Sequence, residues 1–505
     1  MTAQTPAEQR LDRDGPVPLD ELTSGLPPAL DVTDHLDEIR AGRRLVILDD
    51  DPTGTQTIAD LPVLTRWSVD DVRWALQQDT AGFFVLTNTR SVSAPDAAER
   101  NREVVRALAE AARLEGDAAY AIASRSDSTL RGYFPLETDV LAEELARTGR
   151  AVDGVVVCPA FIEPGRLTID SVHWMRTADG MIPVARSEFA RDRSFGYHHS
   201  DLRDWVEEKT QGRVPAASVA TVTIDDIRRG GPDRVQAIVA GLGGGRPVVV
   251  DAVADADLQV VALALVRAEA AGACFLYRCG PSFVRARSGQ QATPAIDAPR
   301  LRRILDSATA AAMSSPGADS RPTAAHGLVV VGSHVGLTTR QLDGLRASSP
   351  VVEVELHVPT LLDPDRRADH VREVAAEATD LLRDNDSDAD VVIRTSRELV
   401  PGTDAHHSLD IARTVSASLV ETVREVVAVL RPAFVLAKGG ITSSDTATEG
   451  LGVRRAWSRG TMLPGIVSLW EPVSGPAEGI PYIVFPGNVG DDAALADVVA
   501  TLRSV

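Results

Sequence analysis

Short apolar runs alternate along the chain with longer segments in which apolar residues recur at helical spacing. In the first half the apolar runs lie at 43–50, 83–90, 118–132, 152–161 and 246–253. The segment 94–114 predicts a long amphipathic helix between two of them. Buried strands that alternate with amphipathic helices are typical of a parallel sheet, in which functional side chains gather at the carboxyl ends of the strands.

The same alternation restarts after a stretch of small residues at 314–321. Apolar runs then lie at 326–336, 351–356, 390–396, 433–445 and 481–490, with helical patterns at 365–383 and 408–430. A chain of 505 residues is longer than one hydrophobic core usually supports. The pattern therefore predicts an α/β protein of two domains, each with a largely parallel sheet flanked by helices.

The boundaries of these domains follow from where the alternation stops and restarts. We place the first domain at 41–290, a linker at 291–325 and the second domain at 326–505. Residues 1–40 are rich in proline and acids, with one short helical pattern near 36–39. We expect them to form an extension that wraps the surface or serves an interface, outside the core.

Charge and composition narrow the classes of partner. The net charge of −20 repels nucleic acid and anionic membranes, and no basic run offsets it, so neither is an expected partner. A small anionic substrate remains compatible, because a few arginines inside a cleft can outweigh the overall charge. We expect no membrane span, no signal peptide and a cytoplasmic location. The three cysteines predict neither a disulfide framework nor a zinc site, and we expect no protein-built metal site.

Three consecutive acids, Asp49, Asp50 and Asp51, come directly after the first apolar run. Three adjacent acids cannot all be buried as charges, so we expect them to face solvent, a cation or hydroxyl donors. In the functional interpretation they bind substrate hydroxyls or act as a general base. The alternative is a solvated turn at the end of a strand, with a helix cap.

Two further polar motifs follow apolar runs. Arg90 could bind a carboxylate through two hydrogen bonds, although a surface ion pair is an equal alternative. The segment 124–132 places Arg125, Asp127 and Arg131 in a predicted strand-to-helix turn, where free backbone N–H groups favour anions. The alternative is a helix cap. Among the histidines, His173 is a candidate for substrate contact.

Three glycine-rich loops follow three apolar runs in the second half: 332–336, 438–445 and 486–490. Glycine lets the backbone approach phosphate closely, and neighbouring hydroxyls add donors. If the three strand ends converge on one cleft, they form a nucleotide site that differs from the Walker A and GxGxxG patterns. Lys438, one of two lysines in the chain, is expected to meet a phosphate as a point charge.

These motifs, in this order, resemble those of the four-carbon acid sugar kinase family, which includes threonate, erythronate and 3-oxo-tetronate kinases. The matching segments are DDDPTG at 49–54, SDSTLRG at 126–132, CPAFIEPGRLTIDSVHW at 158–174, KGGITSSD at 438–445 and PGNVG at 486–490. The resemblance spans nearly everything from residue 43 onwards. Ile441 stands where the family commonly has an acid, and Lys438 where a small residue is usual, which indicates a divergent branch.

The resemblance implies an amino-terminal domain that binds an acid sugar and a carboxyl-terminal domain that binds ATP with Mg²⁺. The implied substrate-binding set, with the two catalytic candidates Asp51 and Asp127, is completed by Asp50, Arg90, Arg125, Ser128, Thr129, Arg131 and Arg166. The implied nucleotide-binding set is Ser333, Lys438, Gly439, Gly440, Ile441, Thr442, Gly487 and Asn488. A homodimer is a further expectation.

Phosphoryl transfer needs alignment, charge neutralisation and a base for the attacking hydroxyl. The hypothesis is that Arg90, with Arg125 or Arg131, binds the carboxylate of the sugar acid, while Asp51 or Asp127 accepts the hydroxyl proton. Asp51 is favoured, because the two arginines that flank Asp127 in the sequence weaken it as a base. The rival functions are a non-catalytic module that binds a sugar acid and an isomerase or lyase that acts on a sugar acid phosphate.

Overall fold

The computed structural model describes residues 15–51, 53–314, 321–384, 386–397, 400 and 405–505, without the side chains of 309–314 and 405–409. It divides into two compact units. The first is formed by Met1–Gly54 and Trp67–Ala292, and the second by Thr55–Arg66 and Thr293–Val505. Of the predicted linker 291–325, residues 315–320 lie outside the described residues, as do residues 1–14 of the predicted extension. The linker prediction is wrong for the helix Ala298–Ser314, because its Leu301 is buried in the hydrophobic core of the second unit.

Strands and helices alternate along both units. The strands are β1 (Arg44–Asp49), β2 (Leu61–Leu64), β3 (Gly82–Leu86), β4 (Tyr120–Arg125), β5 (Gly154–Cys158), β6 (Arg166–Ile169), β7 (Val172–Thr177), β8 (Gly180–Pro183), β9 (Ala220–Val222), β10 (Arg246–Val250), β11 (Phe275–Cys279), β12 (Leu328–Val331), β13 (Val351–Leu356), β14 (Asp390–Thr395), β15 (Val435–Lys438), β16 (Arg455–Leu463), β17 (Val467–Pro472) and β18 (Tyr482–Phe485). The α-helices are Leu19–Thr23, Leu36–Arg40, Val69–Leu76, Ala94–Leu114, Leu136–Arg147, Leu202–Lys209, Ile224–Arg228, Gly231–Ala240, Asp255–Ala270, Pro281–Arg287, Ala298–Ser314, Gly336–Ser348, Val358–Leu361, Arg367–Arg383, Ala405–Val429, Gly440–Asp445 and Ala494–Arg503.

The main sheet of the first unit is parallel, in the order β3-β1-β4-β11-β5-β10-β9. Its central strands are buried along nearly their whole length, which explains why they read as continuous apolar runs. The predicted helix at 94–114 is present with those bounds, and the Ser93 side chain caps it by accepting from the Asp96 N–H. Because β1 pairs in parallel with both β3 and β4, the carboxyl ends of these three strands lie side by side at one edge of the sheet.

A second, antiparallel sheet of the first unit has the order β6-β7-β8. The extension packs on it: Val17 pairs with Met181 through two backbone hydrogen bonds of 2.8 Å, and Leu22 is fully buried in the same apolar cluster as Trp174. The expectation that residues 1–40 lie outside the core is therefore wrong for this part. Isolated apolar residues between prolines and acids show no periodicity, so the pattern could not reveal the contact.

The second unit contains a mixed sheet in the order β13-β14-β12-β15-β18-β17-β16-β2. The first five strands are parallel, and β17, β16 and β2 pair antiparallel. Strand β2 comes from Thr55–Arg66, which the sequence analysis placed in the first domain. The reason is its pairing with β16, whose residues Arg455 to Ser458 lie opposite Leu64 to Leu61. Both units thus have the largely parallel sheet that the alternation predicts.

Candidate functional site

The polar motifs of the first unit come together at the carboxyl ends of β1, β3 and β4. Strand β1 pairs with β3 on one side and with β4 on the other, both in parallel, with Asp49 opposite Leu86 and Arg125. The residues after each strand therefore lie side by side. We refer to Asp49, Asp50, Asp51, Arg90, Arg125, Asp127 and Arg131 as the strand-end cluster.

Arg90 lies at the centre of this cluster. Its Nε lies 3.1 Å from Asp50 Oδ2, its Nη2 2.7 Å from Asp51 Oδ2 and its Nη1 3.9 Å from Asp127 Oδ2. The side chain of Arg90 is 17% exposed, so these contacts are largely shielded from water. The alternative of an ordinary surface ion pair is excluded, because one guanidinium joins the acids that follow β1 to the acid that follows β4.

Two of the three consecutive acids are buried and face a cation, so the alternative of a solvated turn does not describe them. Asp49 and Asp50 are 1% and 2% exposed. Arg125, itself buried, compensates them: its Nη1 lies 2.9 Å from Asp49 Oδ1 and 3.8 Å from Asp50 Oδ1. Arg125 is thus behind the acids as their counterion, where the hypothesis had it binding substrate directly. Asp51 is partly exposed, and its Oδ1 accepts from the Thr53 N–H at 2.9 Å.

The acids of the cluster have opposite protonation tendencies. Burial raises the pKa of Asp50 to about 7, against the attraction of Arg90 and Arg125. Burial likewise raises the pKa of Asp49 to about 6. Burial acts in the same direction on Asp51 and Asp127, but Arg90 and the hydrogen bonds they accept outweigh it and hold both pKa values below their usual range. Asp51 and Asp127 are therefore ionised at neutral pH and able to accept a hydrogen bond from a hydroxyl.

The loop 126–132 is fixed by donors to its backbone carbonyls. His173 Nε2 donates to Ser128 O at 2.8 Å, Tyr197 Oη donates to Thr129 O at 2.7 Å, and Arg278 Nη2 donates to Arg131 O at 3.0 Å. Burial lowers the pKa of His173 to about 4, so the ring is neutral, and it is fully buried. His173 thus supports the loop and is not the substrate contact for which it was a candidate.

The alternative interpretation was that this loop caps a helix. The structure shows no such cap in this loop. The next helix begins at Leu136, and the residue before it, Pro135, provides no side-chain cap. Asp127 instead binds its own loop: it accepts from the Thr129 N–H at 3.2 Å and from Arg131 Nε at 2.6 Å. Ser128 and Thr129 are buried. The carboxylate of Asp127 is therefore held within the loop.

Sequence reasoning did not find Tyr197 and Arg278. Arg278 left a signal, because it is a charged residue within the buried run of β11. Tyr197 left none, since it lies in an irregular segment far along the chain from Thr129.

The three glycine-rich loops of the second unit converge. They follow β12, β15 and β18, which are neighbours in the parallel part of the sheet. A Cβ atom on Gly487 would stand 2.9 Å from Ser333 Oγ and 3.7 Å from Gly439 Cα. A Cβ atom on Gly439 would stand 2.9 Å from Thr442 Oγ1. Glycine is thus required at Gly439 and Gly487 by close packing between the loops.

Lys438 is placed differently from the prediction. Its side chain is fully buried, its Nζ donates to Pro486 O at 2.7 Å, and it lies 3.9 Å from the centre of the Phe485 ring. Burial lowers the pKa of Lys438 to about 7. The side chain at the end of β15 points into the interior of the unit, so Lys438 positions the Pro486–Gly487 loop and does not present a charge to a phosphate at the surface. Ile441 and Asn488 are exposed.

Arg397 is a residue of this site that sequence reasoning missed. It follows β14, the neighbour of β12, and its Nη1 and Nη2 donate to Ser333 O and Thr339 Oγ1, each at 2.5 Å. Its position directly after an apolar run is the same signal that marked the other motifs. Within the described residues, no group of three or more His, Cys, Asp or Glu side chains is arranged to hold a metal ion. Nor does any described helix have the length and apolar character to cross a membrane.

Comparisons with known proteins agree with the division of the chain into two units. Residues 45–287 match a family model described as a sugar-binding N-terminal domain, and residues 328–495 match one described as a nucleotide-binding C-terminal domain. The chain is 28% identical over 305 residues to a D-erythronate kinase of Heliobacterium modesticaldum, a match that covers 60% of this chain and 58% of the relative. The chain thus spans less than two thirds of the length of that relative.

Two solved structures share the fold. A Salmonella typhimurium LT2 protein, provisionally described as a tRNA synthase, has a TM-score of 0.63 at 17% identity, with 90% of this chain and 98% of that chain covered. Haemophilus influenzae protein HI1011 has a TM-score of 0.58 at 19% identity, with 90% and 100% covered. These two likenesses show the fold. The two matched domain models, with the motifs they contain, show the family: the chain belongs to the four-carbon acid sugar kinase family.

Proposed function

We propose that the protein is an ATP-dependent kinase that phosphorylates a hydroxyl of a small, four-carbon sugar acid. The observation that carries the proposal is the strand-end cluster, in which ionised carboxylates and guanidinium groups share one edge of the sheet in the sugar-binding unit. Such a set can bind hydroxyls and a carboxylate together. The similarity to a D-erythronate kinase supports the same class of substrate.

In this proposal Asp51 accepts the proton of the attacking hydroxyl. Its side chain is 28% exposed, against 13% for Asp127, so a substrate reaches it more easily. Asp127 is also bound by Arg131 and by its own loop, which weakens it as a base. Arg90 fixes Asp51 through the 2.7 Å contact of its Nη2, and this orients the carboxylate towards the hydroxyl.

The second unit supplies the nucleotide site. We propose that backbone N–H groups of 439–442 and of Gly487, with the Ser333 hydroxyl, bind the phosphates of ATP. Arg397 donates a hydrogen bond to the backbone carbonyl of Ser333 and adds a positive charge at the same strand ends. Mg²⁺ would arrive bound to the triphosphate, because its oxygens are the ligands that this ion prefers.

A coupled ADP-release assay over four- to six-carbon aldonic and ketoaldonic acids tests the proposal. We expect ATP consumption that depends on an added four-carbon acid, D-erythronate among those tested. Binding of ATP and acid without turnover across the whole panel would favour a non-catalytic module. Conversion of a sugar acid phosphate without ATP would favour an isomerase or lyase. Either result would overturn the kinase proposal.

A further inference from the structure

The arginines in and near the strand-end cluster differ in how many carboxylates lie close enough to neutralise their charge. Arg90 lies near three aspartates, Arg125 near two, and Arg131 pairs with Asp127 at 2.6 Å and lies 3.7 Å from Asp192. Arg166, whose charged neighbours are Asp127 and Arg131, has no carboxylate within ion-pair distance among the described residues. It is thus a positive charge beside the cluster that the protein itself leaves without a partner.

The side chain of Arg166 is also short of hydrogen bonds. Within the described part of the chain its side chain makes one hydrogen bond, from Nη1 to Pro164 O at 3.5 Å, and its buried Nε has no acceptor. Arg278 is similarly without an ion pair in that part of the chain, but it is 4% exposed and its Nη2 already binds Arg131 O. Arg166 is half-buried and can therefore reach a ligand. Arg166 therefore combines partial exposure with a guanidinium group that no carboxylate of the described residues neutralises.

The backbone around Arg166 is firmly fixed. The N–H of Arg166 donates to Phe161 O at 2.9 Å, and its carbonyl accepts from the Phe161 N–H at 3.1 Å. The turn between β6 and β7 is bound by the buried Asp251, whose carboxylate accepts from the Asp170 and Ser171 N–H groups at 2.9 Å each. The amino-terminal extension packs on the same sheet. The hydrogen bonds with Phe161 fix the start of β6 and those with Asp251 fix the turn at its end, which gives Arg166 the rigid backbone that a binding group requires.

We propose that Arg166 binds the carboxylate of the substrate and thereby makes the site specific for sugar acids over neutral polyols. This inference rests on the proposed function, and in it Arg166 takes the role that the sequence hypothesis gave to Arg90 with Arg125 or Arg131. Arg90 and Arg125 are engaged by the aspartates of the protein, so a substrate carboxylate would have to displace one of these to bind them. At Arg166 the carboxylate meets a donor fork that is not compensated, and two parallel hydrogen bonds are available to it.

The test compares the wild type with Arg166→Gln and Arg166→Lys, using D-erythronate and L-threonate as acids and erythritol as the neutral polyol. Calorimetry without ATP measures binding, and the coupled assay measures turnover. We expect Arg166→Gln to weaken acid binding and to raise KM for the acid about 30-fold or more, because a hydrogen-bonded charge pair is lost. Binding of erythritol should not change, and kcat should fall much less than kcat/KM. Arg166→Lys should recover part of the loss.

Arg176→Gln is the matched control, because it removes an exposed positive charge from the neighbouring strand β7 and should leave acid binding unchanged. Acid affinity and acid-over-polyol preference that are equal in the wild type and Arg166→Gln would overturn the inference while the kinase proposal stands. Acid binding that depends on Arg166 without any ATP consumption would overturn the kinase proposal while the inference stands. A wild type that binds neither acid would contradict both.

Discussion

At the scale of single residues, the three consecutive acids after β1 show how strongly position changes chemistry. Asp49 is paired with buried Arg125, Asp50 is buried with a pKa of about 7, and Asp51 is partly exposed with a lowered pKa. The oxygens of Asp50 have no hydrogen-bond partner among the described residues. One side chain is thus suited to proton acceptance from a ligand, while its neighbour titrates near neutral pH inside the fold.

Replacing Asp51 by asparagine tests its role as the base. Asparagine keeps the size and can still bind a hydroxyl, but it cannot take the proton. We expect kcat to fall by about 100-fold or more, with binding of acid and ATP retained, because general base catalysis contributes that order of rate. Steady-state kinetics and calorimetry measure the two effects.

The control is Asp225→Asn, which changes an exposed carboxylate on the helix Ile224–Arg228 and should leave turnover unchanged. Full turnover by Asp51→Asn with normal binding would assign the base elsewhere, and Asp127→Asn would then be the variant to measure.

Asp50 gives a prediction about pH. Its pKa is raised to about 7 from 3.8, so the folded state favours the protonated form. The contribution of Asp50 to stability is therefore fully present below pH 3.8 and is lost as the pH rises through about 7. Between pH 5.5 and 8 we expect the Tm of the wild type to fall by about 2 °C more than that of Asp50→Asn, which lacks this titration.

Thermal unfolding at matched ionic strength measures the difference. Lys438, a buried group of the second unit whose pKa also lies near 7, is common to both proteins and cancels in the comparison. Parallel curves for the two proteins would show that Asp50 is not the titrating group.

At the scale of elements, the glycine-rich loop after β15 contains two adjacent glycines with different requirements. Gly439 has φ +129°, a conformation that other residues rarely adopt, and an added Cβ would stand 2.9 Å from Thr442 Oγ1. Gly440 has an ordinary φ and nothing within 4 Å of an added Cβ. We expect Gly439→Ala to destabilise the protein by about 1–3 kcal/mol and to weaken ATP binding, because the loop must rearrange.

Gly440→Ala is the matched variant and should keep the stability of the wild type. Chemical denaturation gives the free energy of unfolding, and titration with ATP gives the affinity. Equal losses in the two variants would mean that the backbone of Gly439 is not under the constraint described.

Most parallel strands of both units could be predicted, because strands buried on both faces read as apolar runs and the helices between them are amphipathic. The sheet β6-β7-β8 was not predicted. Strand β6 alternates polar and apolar over only four residues, and the alternation of β7 breaks at Trp174 and Met175, so neither strand gives a clear pattern. The burial of Val17 and Leu22 depends on that sheet and was missed with it.

The candidate site was predictable as far as strand ends determine it. Arg90 and the acids after β1 and β4 come together, because a parallel sheet places the carboxyl ends of its strands at one edge. What the residues do there depends on burial and on partners far along the chain. Arg125 and Lys438 face the interior at the ends of their strands, and the sequence alone does not show which way such a side chain points.

At the scale of the whole molecule, the chain enters the second unit twice. Residues Thr55–Arg66 belong to it, although the residues before and after them belong to the first unit. Strand β2 pairs with β16, and the Thr55 hydroxyl binds Ser468 Oγ and Trp470 Nε1, each at 3.0 Å. The acids of the strand-end cluster are therefore joined through Gly54 to a strand of the nucleotide-binding unit, and no single cut in the chain separates the two units intact.

This gives a prediction for the fragment 293–505. Without β2 the fragment leaves the pairing groups of β16 and the buried Trp470 Nε1 unmatched, and each missing hydrogen bond costs about 1 kcal/mol. We expect the fragment to unfold at a lower temperature than the second unit of the full chain, with fast hydrogen exchange in β16. Adding a peptide of residues 55–66 should restore both, whereas the peptide with Val63→Asp should not, because Val63 is buried. If the fragment alone is as stable and as protected as the unit in the full chain, then β2 is not an integral part of that unit.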